Sequence, residues 1–556
     1  MTKKISFSIQ KYRLVTIVIL LTLFSTNLSA QIFEPDINLL KEHLRFLSSD
    51  SLKGRAPGTI EDSIAAYYIA SRLLNYGMVP LIGDSPVIPF TFTLKREVGE
   101  SSFLKISGDT LAILDEFSLS PLSPTLNVRG RVEYVDEEVL KSALSGGDRL
   151  QTMSIGQMDK RVALVKTSQD SVMFLITPLI QLGYSAVLFY NQETPILPSV
   201  TISSGSLLPI AKISYKIAGS IIDSGGADCE LESVVDVVKG RSYNIAAVSP
   251  GYKNSYIMVG AHYDHLGLGG SGSGSLSRKA DEIHNGADDN ASGVVAAIEA
   301  GRLLSSNGYG CAQYGFAVAA FGAEERGLIG SRILADTLSV LLKLPALMLN
   351  MDMVGRMNEM KLQAGGAGTF KGADSIINDV NRCFNLNMVI TQEGYGPSDH
   401  ASFYTKGVPV LYFTTGVHSQ YHTPEDVFEL INFDGIKVVT AFVSKLISGV
   451  LNSELIPEYQ KSEAPSPSRR SFRVTLGVIP DFTYEKGDGF RVGSVTDGRA
   501  AQKAGMLEGD IITEMGSRKI NNIYDYMSAL GDLKPGERCE VTVVRSGDSI
   551  RLIVEL

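Results

Sequence analysis

His284-Asn285-Gly286-Ala287-Asp288-Asp289-Asn290-Ala291-Ser292-Gly293 is the stretch around which the chain is organised. It sets two adjacent carboxylates ahead of a small-residue and apolar run, residues 294–304, whose texture predicts a helix. Asp288 and Asp289 then lie at or just before a helix N-terminus, where free backbone N–H groups and the helix dipole favour negative charge. For Asp-Asp-Asn in isolation, a helix cap at Asp289 or Asn290 is the ordinary reading. The neighbouring sequence argues for more. The apolar run 256–261 ends at His262, 316–321 at Glu324-Glu325, 347–351 at Asp352, and 408–413 leads toward His418 and His422. Helical segments alternate with these runs from Tyr243 to about Leu451, the pattern of an α/β sheet. Each strand thus delivers a His or a carboxylate at its C-terminal end, the edge at which open α/β sheets bind ligands.

Outward from that core, 556 residues exceed what one hydrophobic core organises, so two to four domains are expected. Residues 1–30 read as a cleavable signal peptide: Lys3, Lys4, Lys11 and Arg13 precede the apolar run 14–24, and small residues lead to Ala30. The run is short for a membrane span, which leaves an uncleaved anchor as the lesser alternative, and no Cys follows it to take a lipid. The expected location is secreted or periplasmic, with no membrane span after signal removal. Loss of the four basic residues takes the net charge from −9 to −13, which argues against nucleic acid as a partner. Cys229, Cys311, Cys383 and Cys539 lack metal or disulfide-framework spacing and read as buried free thiols, with a Cys311–Cys383 pair left open.

Residues 31–96 carry two amphipathic helices, 37–47 and 60–76, joined by the turn-rich Ser51-Leu52-Lys53-Gly54-Arg55-Ala56-Pro57-Gly58. Residues 97–242 change to short β-branched runs between Gly, Pro and Ser turns, with a helical stretch before Gly183, as expected of a mostly β module inserted ahead of the core at 243–454. Residues 455–471, with Pro465 and Pro467 among serines, read as a linker. Residues 472–556 form a compact β-rich unit with one helix near 523–530.

Six of the seven histidines fall between positions 262 and 422. His262 and His422 with Asp289, Glu325 and Asp352 make the mixed nitrogen and oxygen donor set that borderline divalent metals take, zinc first. The set suffices for two ions sharing one carboxylate, with Asp289 the natural bridge because it offers two oxygens. Two such ions about 3.5–4 Å apart acidify a water and polarise a carbonyl. Glu324-Glu325 supplies adjacent acids pointing different ways, so one ligates while the other stays free as a base. Asp264, two residues after His262, is placed to orient its imidazole. Asp288 is expected to keep the helix-start role with no claim on metal, so that Asp288→Ala is far milder than Asp289→Ala.

These segments resemble the M28 metallopeptidases, co-catalytic zinc aminopeptidases. The resemblance rests on Gly260-Ala261-His262-Tyr263-Asp264-His265, Asn285 to Gly293, Ala320-Phe321-Gly322-Ala323-Glu324-Glu325, Asn350-Met351-Asp352-Met353, Ser398-Asp399-His400 and Tyr421-His422-Thr423-Pro424. It implies an α/β mixed-sheet zinc-peptidase core (phosphorylase/hydrolase-like) with helices on both faces, and two Zn2+ per chain. In that arrangement His262 and Asp352 hold one zinc, Glu325 and His422 the other, and Asp289 bridges. A metal-bridging hydroxide is the implied nucleophile and Glu324 the general base and then acid. Tyr421 is implied to stabilise the oxyanion, and Asp264 matches the second-shell acid. His265, His284 and His418 fall outside the ligand positions and read as peripheral. Residues 268–280 depart from the family as a Gly/Ser-rich insertion, open to reading as a lid or, preferably, as a tolerated insertion.

The module at 97–242 resembles a protease-associated (PA) domain through Ile210-Ala211-Lys212-Ile213-Ser214 and Gly183-Tyr184-Ser185-Ala186-Val187. The C-terminal unit resembles a PDZ domain, with Leu476-Gly477-Val478 as its peptide-carboxylate loop and a peptide or protein as its implied ligand. For both modules a purely structural lid or spacer remains an alternative. The implied activity is removal of N-terminal residues from peptide substrates. Carboxypeptidase or glutaminyl cyclase action is the rival within the family, and a non-catalytic scaffold presenting PA-like and PDZ-like surfaces is the rival outside enzymes.

Overall fold

The computed structural model describes residues 33–136, 161–453, 457–462 and 474–556, apart from 168, 196–204, 252–254, 271–272, 278, 280, 310–313, 481–488, 496–498, 517, 521–522, 531–532, 535 and 546. The expected signal segment, most of the expected linker, and Cys311 lie outside the described residues. Cys229 and Cys539 are buried free thiols, whereas Cys383 is exposed, contrary to expectation.

The described residues build three sheets. Numbered along the chain, the strands of the first are β1 (Val79–Pro80), β2 (Val87–Val98), β3 (Val235–Val248), β4 (Ser255–His262), β5 (Tyr314–Phe321), β6 (Leu347–Met351), β7 (Lys361–Gly365), β8 (Asn387–Ile390) and β9 (Val410–Thr414). Their order is β1-β3-β5-β4-β6-β9-β7-β8, with β2 on β3. The centre, β5-β4-β6-β9, is all parallel. Antiparallel neighbours flank it at β3 and β7, making the sheet mixed.

Both faces are covered, and the period-two alternation of side chains shows how. Ile257, Val259 and Ala261 pack with α1 (Ile37–Leu47), α2 (Ile60–Asn75), α3 (Gly293–Ser306), α5 (Ala373–Asn381) and α7 (Phe433–Ser453). Tyr256 and Met258 pack on the other face with α4 (Ile329–Val340) and α6 (His400–Tyr404). Strands buried on both sides must be continuously apolar, which is why these runs read so clearly. Asp36 caps α1 by accepting from the N–H of Asn38, and Thr59 caps α2 by accepting from that of Asp62.

The second sheet holds eight strands between Phe103 and Ser233. Its strands Leu126–Tyr134, Arg161–Lys166, Ala186–Tyr190 and Ile210–Ile213 run parallel, with the expected helix ahead of Gly183 at Gln169–Gln181 and a further one at Tyr215–Asp223. It joins the core through the long β2–β3 ribbon, paired from Val98 with Val235 to Val87 with Ile245. That ribbon runs straight across the expected boundaries at 97 and 242. The third sheet lies within 478–555 with helices Ala500–Lys503 and Ile523–Leu530. There Gly477 has φ +76, and a Cβ on it would lie 2.2 Å from that of Arg499. Leu476 is buried and its carbonyl accepts from the N–H of Ala501.

The expected linker is partly docked on the core. Ser462 is buried, its hydroxyl accepting from the N–H of Gly394 while its own N–H donates to the Tyr404 hydroxyl. Among the described residues no helix is long and apolar enough to cross a membrane.

Gly293 lets α3 approach the sheet: a Cβ there would sit 2.4 Å from the Met351 carbonyl oxygen and 2.3 Å from Asn290 Oδ1. Gly293→Ala is therefore expected to cost about 1–3 kcal/mol, a fall of roughly 2–10 °C in the unfolding midpoint. An unchanged midpoint by calorimetry would contradict that close approach.

Candidate metal centre

The C-terminal edge of the four parallel strands carries the chemistry. β4 ends on His262; Glu324 and Glu325 follow β5, Asp352 follows β6, and His422 comes from the loop beyond β9. The turn 287–292 brings Asp289 among them from the start of α3. Asp289 Oδ1 lies 3.3 Å from His262 Nε2, which is itself 3.4 Å from Asp352 Oδ1. Asp289 Oδ2 lies 3.2 Å from His422 Nε2, itself 3.3 Å from Glu325 Oε2. One carboxylate thus faces two separate His/acid pairs, one with each oxygen.

These residues fit a metal. A tetrahedral ion with bonds of about 2.0–2.1 Å holds its donors about 3.3–3.4 Å apart, close to the four spacings here. The imidazoles are also turned for it. His262 Nδ1 is 3.2 Å from the Asp264 carbonyl and His422 Nδ1 is 3.0 Å from the Gly274 carbonyl. A carbonyl only accepts, so each Nδ1 carries a proton and each Nε2 is left facing carboxylate oxygens, where it either donates a second proton or, in the neutral ring, offers its lone pair to a cation. Lone pair against lone pair would repel, so a proton or a metal ion must lie between them. His265 also approaches this centre, but its Nδ1 is 2.8 Å from Glu325 Oε1, a hydrogen-bond distance, and 3.9 Å from Asp289 Oδ2. A grouping of His265 with Asp289 and Glu325 satisfies proximity; His422 has the better ligand spacing, and His265 orients Glu325.

The electrostatics follow from burial. Burial opposes charge on Asp289, but hydrogen bonds from His262 and His422 outweigh it and hold the carboxyl well below its usual range. Glu325 is held at about 2 against burial, by His422 and His265. Glu324 goes the other way: burial, then Asp399, Glu325 and Asp352, push it well above the carboxylate range against the pull of His262. The adjacent acids therefore differ in proton affinity, one suited to a cation and one to a proton. Tyr421 stacks on His422 with ring centroids 3.8 Å apart. Burial and the surrounding carboxylates push its phenol well above its usual value, so it stays a donor.

Asp264 orients His262 as expected, but not with the expected group. Its backbone carbonyl, not its carboxylate, meets His262. The carboxylate accepts from the N–H groups of Glu324 at 2.9 Å and Glu325 at 3.3 Å, fixing the turn that presents both acids. Asp288 is no loose helix-start residue either. It is fully buried, with Oδ1 accepting from the Gly355 N–H at 2.6 Å and the Ser292 hydroxyl at 2.9 Å, and His418 Nε2 is 3.2 Å from Oδ2. The cap falls to Asn290, whose Oδ1 accepts from the N–H of Gly293 at 3.0 Å.

Two residues escaped the sequence reading. The Asp426 carboxylate accepts from the N–H groups of Asp288 and Asp289, holding the turn from its open side. The guanidinium of Arg55, 1 % exposed, donates to the carbonyls of Tyr263 (2.7 Å), Asn285 (2.6 Å), Gly286 (3.0 Å) and Leu47. It therefore ties the segment after His262 to the segment before Asp289. Burial lowers its pKa to about 10 against the pull of Asp264 and Asp289, which leaves it charged at neutral pH. An acid four residues beyond His422 was the available signal for Asp426; for Arg55, bonded only to backbone, there was none.

A mixed-sheet α/β domain with a bridged carboxylate–imidazole centre at its strand ends is the class this arrangement defines. Comparison is more specific: residues 244–447 match the model of peptidase family M28 and residues 474–556 that of the PDZ domain, so the chain carries an M28 peptidase domain followed by a PDZ domain. Aminopeptidase YwaD of Bacillus subtilis (strain 168) is 26% identical over 299 residues, covering 51% of this chain and 61% of that protein. Leucine aminopeptidase 1 of Uncinocarpus reesii is 31% identical over 208 residues, covering 34% of this chain and 50% of that protein. The matched region thus spans between half and about three-fifths of these two relatives. The solved aminopeptidase from Aneurinibacillus sp. strain AM-1 aligns with a TM-score of 0.49 at 21% identity, over 78% of this chain and 97% of that one.

Asp288→Ala leaves the Gly355 N–H without its partner in the interior, and is expected to cost at least about 1–3 kcal/mol of stability. Asp289→Ala should instead abolish metal uptake. Thermal unfolding of the metal-free chains, with zinc titration of the folded ones, separates the two effects.

Proposed function

We propose that this protein is an exported aminopeptidase that uses two zinc ions to hydrolyse N-terminal residues from peptides. The observation that carries this reading is Asp289, whose two oxygens face two separate His/acid pairs at ligand spacing. His262 and Asp352 would hold one ion, Glu325 and His422 the other, with Asp289 common to both. The ions, when bound, supply polarisation of the scissile carbonyl and acidification of water. The M28 match and the aminopeptidase relatives favour cleavage at the peptide N-terminus.

The chain's own part begins with Glu324. Its raised proton affinity suits it to take a proton from the attacking water and return it to the departing amine. Asp264 keeps that carboxylate in place by gripping the two backbone N–H groups of the turn. Tyr421 is read as the donor toward the oxygen that gains charge in the transition state, a role its protonated phenol and its stacking on His422 support. The inserted sheet is read as a PA-like module, and the PDZ domain as a holder of a peptide or protein ligand near Leu476-Gly477-Val478. Residues 1–30, with their basic start and apolar run, support export to a secreted or periplasmic location.

Glu324→Gln is expected to keep two zinc ions and lower kcat by about 10²-fold or more on aminoacyl anilides. N-acetylated peptides should be poor substrates for the wild type. Undiminished turnover would remove Glu324 as the base, and preference for blocked peptides would overturn the aminopeptidase reading.

A further inference from the structure

We infer that the Gly/Ser-rich loop at residues 269–277 is a positioning element for His422, so that it governs the occupancy of one of the two metal positions and leaves the other alone. This rests on the two-zinc reading above. The loop reaches His422 twice: the Gly274 carbonyl accepts from His422 Nδ1 at 3.0 Å, and the Leu276 N–H donates to the His422 carbonyl at 2.9 Å. The first contact fixes which ring nitrogen carries the proton, and the second steadies a backbone held at φ +56, an uncommon conformation for a residue with a side chain.

Despite its composition the described part of the loop is internally stapled. The hydroxyls of Ser273, Ser275 and Ser277 each accept from the N–H two residues further on, at 3.1 Å, 3.1 Å and 3.2 Å. The Ser275 hydroxyl also lies 2.7 Å from His284 Nε2, while His284 Nδ1 is 2.8 Å from the Glu282 carbonyl. His284 thus donates from Nδ1 and accepts from Ser275, pinning the loop to the segment that leads into Asp289. Gly269 sits against that ring so closely that a Cβ there would be 2.4 Å from its Cε1. At the base of the loop, the His284 N–H donates to the Gly267 carbonyl at 2.9 Å, so excision meets two ends already adjacent.

Among the described residues, no hydrogen bond joins this loop to the imidazole of the other metal position. His262 ends β4, and its Nδ1 is held by the carbonyl of Asp264 two residues on. The asymmetry is therefore specific: one imidazole is oriented by the strand it ends, the other by an insertion. His284 and the insertion, peripheral or tolerated in the sequence reading, become parts of one device.

The test excises residues 270–281 from the full-length chain, joining Gly269 to Glu282, and follows zinc by calorimetric titration and by non-denaturing mass spectrometry. The wild type should take up two ions. The excised chain should take up one with unchanged affinity and the second about 10- to 100-fold more weakly. Ser275→Ala, which loosens the loop without removing it, should weaken the same ion to a smaller extent and serves if the excised chain does not fold. Two ions of wild-type affinity in the excised chain, or in Ser275→Ala if that chain alone folds, would overturn the inference while leaving the two-zinc reading intact. So would an equal loss at both positions. A wild type that takes up a single ion would overturn both together.

Discussion

The whole edge of the sheet depends on one constraint: the carboxylate of Asp289 is shared between two histidine–acid pairs while itself almost fully buried. A buried carboxylate is unfavourable unless positive charge and hydrogen bonds meet it. Sharing tightens the requirement, because both oxygens must be aimed and neither can swing. The turn 287–292 is accordingly held from several sides. Asp426 grips its N–H groups, Arg55 the carbonyls just before it, Asp288 and Ser292 its far wall, and Asn290 the first N–H of α3. Each group in that list is itself buried, so each needs its partner as much as the turn does.

The same logic explains why paired acids follow β5. Glu324 and Glu325 are neighbours on a tight turn whose two N–H groups end on one carboxylate, that of Asp264. Their side chains diverge into different surroundings, Glu325 toward two imidazoles and Glu324 toward other acids, Asp352 and Asp399. Proton affinities separate because the neighbours differ, with no difference in residue type. Arg55 contributes a fixed positive charge behind this group without contacting any of its side chains, which partly offsets the crowding of carboxylates.

Much of this was legible in the sequence, for reasons that particular residues make plain. A strand buried on both faces has to be apolar along its length, so the runs ending at His262, Glu324, Asp352 and near His422 could be found and their ends trusted. A metal position demands specific donor types, so those ends announced themselves. The insertion between β2 and β3 was visible as a change of texture, as was its helix ahead of Gly183, but its parallel strands and the helix Tyr215–Asp223 were not. Short runs such as 162–165 look alike whether they pair parallel or antiparallel.

What stayed hidden is the layer that works through backbone groups. Arg55 reads as one basic residue in a turn, yet its partners are carbonyls, which every residue carries, so no spacing marks them. Asp264 was located and does meet His262, but through its backbone carbonyl, because i to i+2 proximity says nothing about which of its oxygens faces the ring. Asp288 beside Asp289 is the sharpest case. The two have identical side chains one residue apart, and only the fold sends one to the metal centre and the other to Gly355 and Ser292. Donor atoms of a metal centre are chosen by chemistry and so leave a trace in residue type. The groups that aim them are chosen by position, and position exists only once the chain has folded.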